Sequence, residues 1–161
     1  MKMNLIKKIT LCVITLASTS LSTMAAPYEK GQKVESFKAV DQNENAFVFR
    51  PDETRFLLIS HDMDTGKKAN AALSALGKDY LTNHKSVFVA NIFGMPGIGR
   101  MFALPKMRKY NHRIILADDA ALIARFPAQQ GKVTVLALSG GKVQSIQYWT
   151  PGTESVATYL K

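Results

Sequence analysis

His61-Asp62-Met63-Asp64-Thr65-Gly66-Lys67 brings an imidazole, two carboxylates, a thioether and an ammonium group into seven consecutive residues. Asp62, Asp64 or His61 has the chemistry of a general acid or base. His61 and Met63 form a soft-ligand pair of the kind copper prefers. A thiolate is what the segment lacks. The single cysteine is Cys12, and methionine cannot ionise, so no residue from 13 onward can act as a sulfur nucleophile. Ser60 has no flanking glycines and is not a nucleophile elbow. His61, His84 and His112 are too scattered for a zinc pattern. Met95, Met101 and Met107 recur at six-residue steps, which on a helix turn through about 600°, so successive side chains stand about 120° apart and suit core packing.

Each of these residues also has a structural use. Asp64 with Thr65 reads as a helix N-cap. Asp62 is then either solvated or paired with Lys67. Lys67 and Lys68 would oppose the dipole of a helix beginning here, which marks them for a role beyond helix stability.

The surrounding pattern alternates strand-like and helix-like signals. Residues 31–49 read as an extended arm folded about the polar turn Asp41-Gln42-Asn43-Glu44-Asn45. Residues 55–60 (RFLLIS) and 86–92 (SVFVANI) are apolar throughout, as strands covered on both faces should be. Between them Ala69, Ala72, Leu73, Leu76 and Tyr80 recur at three- and four-residue steps and predict one helix. A strand–helix–strand unit of this length predicts neighbouring parallel strands. The loops after both strands then share one edge, so His61, Asp62, Met63, Asp64 and Lys67 should meet Asn91, Gly94 and Met95. Ligands tend to bind at such edges.

Phe93-Gly94-Met95-Pro96-Gly97 reads as a turn. The helical stretch over 99–110 contains Pro105, which either kinks it or starts a second helix. A third strand is expected over 113–117, and a short helix over 120–126 capped by Asp118 and Asp119. Residues 132–138 and 143–149 flank Gly140-Gly141 and predict a β-hairpin. Thr153 is expected to cap a last helix carrying Val156, Tyr159 and Leu160.

This order of elements resembles the thioredoxin-like fold, in the larger variety of periplasmic thiol-disulfide proteins and peroxiredoxins. The likeness implies an α/β three-layer sandwich, with a central mixed sheet and helices on both faces. In active members a C-x-x-C pair lies where the first core strand meets the next helix. A cis-proline precedes the hairpin. Here those places hold Asp62-Met63-Asp64-Thr65 and the neighbourhood of Val133. Thiol exchange and cysteine-based peroxide reduction are therefore excluded on chemical grounds, and the fold alone implies no activity. The chain also resembles a narrower, cysteine-less group of short exported bacterial proteins, through Asp62 to Lys67 (D-M-D-x-G-K), Gly94-Met95-Pro96 and Leu104 to Arg108 (L-P-K-M-R). Members of it often carry the name "FAD/FMN-containing dehydrogenase". The sequence does not support that name: no G-x-G-x-x-G follows a strand, and Gly94 to Gly99 is interrupted by Pro96.

The amino terminus sets the expected compartment. Lys2, Lys7 and Lys8 precede an apolar stretch too short to span a bilayer, followed by small residues, which is the layout of a secretory signal peptide. Cleavage after Ala25 leaves residues 26–161 as a single domain with no transmembrane segment. Leu11 before Cys12 does not fit a lipid-anchor site. Periplasmic or secreted placement follows. The net charge of +9 is carried by scattered lysines and arginines. That gives no nucleic-acid footprint and at most a weak attraction to anionic envelope surfaces. The function expected is a non-redox binding or accessory module for a protein or small-molecule ligand. The alternative is an oxidoreductase acting through a bound flavin-type cofactor, and the third reading is copper handling. No residue is assigned to a cofactor or metal.

Overall fold

The computed structural model describes residues 26–161. The expected signal peptide, its cleavage site and Cys12 lie outside the described residues. Seven strands form one sheet in the order β2-β1-β5-β4-β3-β6-β7. They are β1 (Lys38–Asp41), β2 (Ala46–Val48), β3 (Phe56–Ser60), β4 (Ser86–Asn91), β5 (Ile115–Ala117), β6 (Val133–Ser139) and β7 (Lys142–Trp149). The helices are α1 (Met63–Ala75), α2 (Tyr80–Asn83), α3 (Gly97–Met107) and α4 (Ala120–Ala124). Strands β3, β4 and β5 are mutually parallel, while β6 runs antiparallel to β3 and β1 antiparallel to β5. The sheet is mixed, as expected.

Side-chain alternation splits the core in two. Phe56 and Leu58 of β3, with Phe88 and Ala90 of β4, face α1 and α3. Leu57 and Ile59, with Val89, face the other way, toward Tyr28, Val34 and Phe126 beside α4. The parallel strands are buried on both sides because α1 and α3 cover one face, and the N-terminal segment with Tyr28 and Val34, Phe49 and α4 cover the other.

The hairpin turns through Gly140 and Gly141 with φ of 55° and 72°. Two successive positive values give the twist a two-residue hairpin needs.

Four expectations change. The helix after β3 is two helices. Gly77, at φ 97°, ends α1 in the left-handed conformation that glycine adopts without steric cost, and Tyr80 opens α2. Pro105 does not start a second helix: it lies inside α3, which continues to Met107. The third strand begins at Ile115 rather than Arg113, whose Nε instead donates to Asp41 Oδ2 at 3.0 Å. The last helix is a single 3-10 turn, Val156–Thr158, and Thr153 donates its hydroxyl to the Thr150 carbonyl instead of capping it.

The polar turn between β1 and β2 is partly buried. Gln42 accepts from Ile114 N–H at 2.9 Å and donates from Nε2 to the His112 carbonyl at 2.8 Å. Arg108 at the end of α3 donates to the Gln42 carbonyl. This network fixes His112 beneath α1.

Candidate functional site

A cleft of about 350 Å³ opens at the carboxyl ends of β3 and β4, between the first turns of α1 and the length of α3. Asp62, Met63, Asp64, Lys67, Asn91 and Met95 all line it. The parallel pairing of β3 with β4 brings the two loops together as the sequence implied.

His61 and Gly94 do not line the cleft. Ser60 belongs to the set of alternating β3 residues that faces α1, so His61 falls on the opposite face. Its Nε2 donates to Thr134 Oγ1 at 3.0 Å, and that hydroxyl donates onward to the Pro127 carbonyl. Burial pushes the imidazole pKa below its ordinary value, against weaker upward pulls from Pro127 and Asp62. His61 is a neutral strut between β3 and β6. Because Met63 lines the cleft while His61 serves the other face, the two do not converge as a soft-ligand pair. Gly94 provides the turn at φ 75° and leaves the lining to Met95.

The helix cap is also two residues earlier than expected. Asp62, not Asp64, is the N-cap of α1. Its Oδ1 accepts from Thr65 N–H at 2.8 Å and its Oδ2 from the Thr65 hydroxyl at 2.7 Å. Burial would raise the Asp62 pKa, but the hydrogen bonds from Thr65 outweigh it and hold the carboxyl below its usual value. Replacing a capping carboxylate costs about 1 kcal/mol. Asp62→Ala is therefore expected to lower stability by about that amount, and Lys67→Ala, at an exposed position, by no more than about 0.5 kcal/mol. Urea denaturation of the two variants checks this, and equal losses would show that Asp62 is not the cap.

Asn91 braces the two loops. It donates to the His61 carbonyl at 3.1 Å and accepts from Phe93 N–H at 2.9 Å. Arg100 on α3 fixes the far wall, donating to the Met95 and Ile92 carbonyls and to both oxygens of Asp118. That bidentate pair holds the Asp118 carboxyl below its ordinary pKa.

The sequence reading missed Ser60, Gly66, Asn70, Phe102, Lys106 and Tyr110, which line the same cleft. Asn70 was the available signal. It sits in the apolar stripe of α1 beside Ala69 and Leu73 and is 1% exposed. Buried polar side chains normally have partners. Asn70 Oδ1 has one, His112 Nε2 at 2.9 Å, and its amide nitrogen makes no hydrogen bond to protein among the described residues. His112 is itself 2% exposed, and burial lowers its pKa to about 4.

Helix α3 contains no fully buried residue, and Ile98, Met101 and Phe102 are 68%, 68% and 63% exposed. The cleft itself is lined on the α3 side by Phe102, Met107 and Lys106 and on the α1 side by Asp62, Asp64 and Lys67.

Against solved structures, the chain is similar to a thio-disulfide isomerase from Thermus thermophilus, at 18% identity and a TM-score of 0.51, over 83% of this chain and 95% of that one. It is similar to a peroxiredoxin-like protein from Aquifex aeolicus at 12% identity, with a TM-score of 0.54 over 85% and 88% of the two chains. The thioredoxin domain of a thiol-disulfide oxidoreductase from Bacteroides vulgatus matches at 11% identity and a TM-score of 0.52, over 82% of this chain and 96% of that domain. The fold is thioredoxin-like. No protein-family model and no curated protein matches the chain. At these identities the thioredoxin-like neighbours establish architecture, and the chemistry must come from the residues at the β3–α1 junction.

Proposed function

We propose that this protein is a periplasmic, thioredoxin-like binding module that uses no thiol chemistry and holds its ligand in the cleft between α1 and α3. The observation that carries this is the state of the α1 amino terminus. In thiol enzymes of this fold that helix end lowers the pKa of a cysteine. Here it is occupied by the Asp62 carboxylate, tied to Thr65 by two hydrogen bonds. The positive helix end is spent on a cap, and the space beside it is an open cleft with an apolar wall.

The layout of residues 1–25 supports export. The apolar wall supports ligand binding, since ligand sites are concave and largely apolar with a few placed polar groups. Nuclear magnetic resonance titration of the purified protein, carrying Cys12→Ser, with hexanol as a neutral apolar probe tests the site. Saturable shifts are expected for the amides of Thr65, Lys67, Met95 and Met107. Linear drifts spread over the whole surface would sink the cleft as a binding site. Turnover of insulin disulfides by the wild-type protein, with Cys12 retained, would refute the non-thiol reading.

A further inference from the structure

The floor of the cleft presents hydrogen-bond donors that the protein itself leaves unused. We infer that the ligand is a small carboxylic acid with an apolar chain, its carboxylate received by Asn70 and Ser60 and its chain lying along Met95, Phe102 and Met107. This rests on the cleft being the ligand site.

Asn70 sets the polarity. Its Oδ1 is taken by His112, so the group left for the cleft is an NH₂, which can only donate. The tautomer of His112 follows from its surroundings. Nδ1 is fully buried with no partner, and a bare lone pair is easier to leave unpaired there than an N–H. The proton therefore sits on Nε2 and points at Asn70 Oδ1, which locks the amide with its nitrogen toward the cleft.

Ser60 stands beside it, 2% exposed, lining the cleft, and its hydroxyl makes no hydrogen bond to protein among the described residues. Two donors on otherwise buried residues, both open to the cleft and unpaired with protein among the described residues, offer an acceptor a ready site.

Charge specifies which acceptor. Lys67 and Lys106 line the cleft, and neither lies within ion-pair distance of a carboxylate among the described residues. Of the acidic residues at the mouth, Asp62 keeps its charge but turns both oxygens to Thr65, which leaves Asp64 as the carboxylate placed to contact a ligand directly. An anion is matched by two donors and two ammonium groups. A cation would have to rely on exposed Asp64.

Gly66 keeps the floor open. A Cβ at this position would stand 3.2 Å from Ser60 Oγ, within a helix where alanine is the better former. The volume of about 350 Å³ suits a small molecule rather than a folded partner.

Isothermal titration of the purified protein with octanoate, octanol and octylamine provides the test. Octanoate is expected to bind at least about tenfold more tightly than the other two, the scale of one hydrogen bond to a charged group. Asn70→Asp is expected to remove that preference, and Ser60→Ala to weaken octanoate several-fold. Gly66→Ala should weaken octanoate while the melting temperature holds or rises, a combination that general destabilisation cannot produce. Should Asn70→Asp not fold, Ser60→Ala and Gly66→Ala decide the matter. Octanol or octylamine binding as tightly as octanoate overturns the carboxylate assignment and leaves the cleft standing as an apolar site. Failure of all three probes to bind overturns both.

Discussion

Lowering the pH from about 7.5 to about 5 is expected to remove about 2 kcal/mol of folding stability, most of it through His112. The group is 2% exposed, and burial holds its pKa at about 4 against 6.5 for a free imidazole. The unfolded chain therefore binds a proton through the window from 6.5 down to about 4, and the native state does not. Stability contributed by the neutral ring is whole above 6.5 and drains away as pH falls through that window. His61, also displaced downward by burial, adds to the same slope. The lowered carboxylates, Asp41 and Asp62 among them, act in the same direction but at lower pH. Their contribution is intact above their unfolded values near 3.8 and is lost only in stronger acid. Guanidinium unfolding at a series of pH values measures the slope. His112→Gln, which can keep a donor toward Asn70, should flatten most of it. An unchanged slope in that variant, or a native His112 titrating near 6.5 by proton resonance, would show that the ring is not held neutral by burial.

Trp149→Ala should be among the most damaging single substitutions, with a loss of about 3–5 kcal/mol. Trp149 is fully buried at the end of β7, in the core layer shared by Phe56, Leu58, Val133 and Leu160. Its indole N–H donates to the Glu154 carbonyl at 2.8 Å and so fastens the C-terminal segment. Truncation would open a cavity and also leave that carbonyl without its donor. Trp149→Phe retains most of the apolar volume and should lose less, about 1–2 kcal/mol, from the missing hydrogen bond and the smaller ring. Far-UV circular dichroism must follow both variants, since each lacks the only tryptophan. A loss under about 1 kcal/mol for Trp149→Ala would mean that the C-terminal segment does not depend on this contact.

Much of the architecture was legible in the residues. The apolar runs at 56–60 and 86–91 announce strands covered on both faces, because only a doubly covered strand can dispense with polar alternation. Gly140-Gly141 announces its hairpin, since two consecutive positive φ values exclude most other residues. The absence of any cysteine after Cys12 closes thiol chemistry at the β3–α1 junction without reference to coordinates. The juxtaposition of Asp62, Met63, Asp64 and Lys67 with Asn91 and Met95 followed from parallel pairing alone.

Tertiary structure decided the rest. Strand parity sends His61 to the face of α4 and Ser60 into the cleft, and a run as uniformly apolar as 55–60 does not reveal the phase of that alternation. The cap fell to Asp62 rather than Asp64 because helix ends are set by backbone geometry, and two aspartates flanking Met63 are equivalent as a pattern. Asn70 looks like an interruption in an apolar stripe until His112, 42 residues away in sequence, is seen to hold its oxygen. Composition and spacing encode local periodicity and the presence or absence of a chemical group. Which face a side chain takes, and whether a buried donor is left unpaired, depends on contacts between segments far apart in the chain.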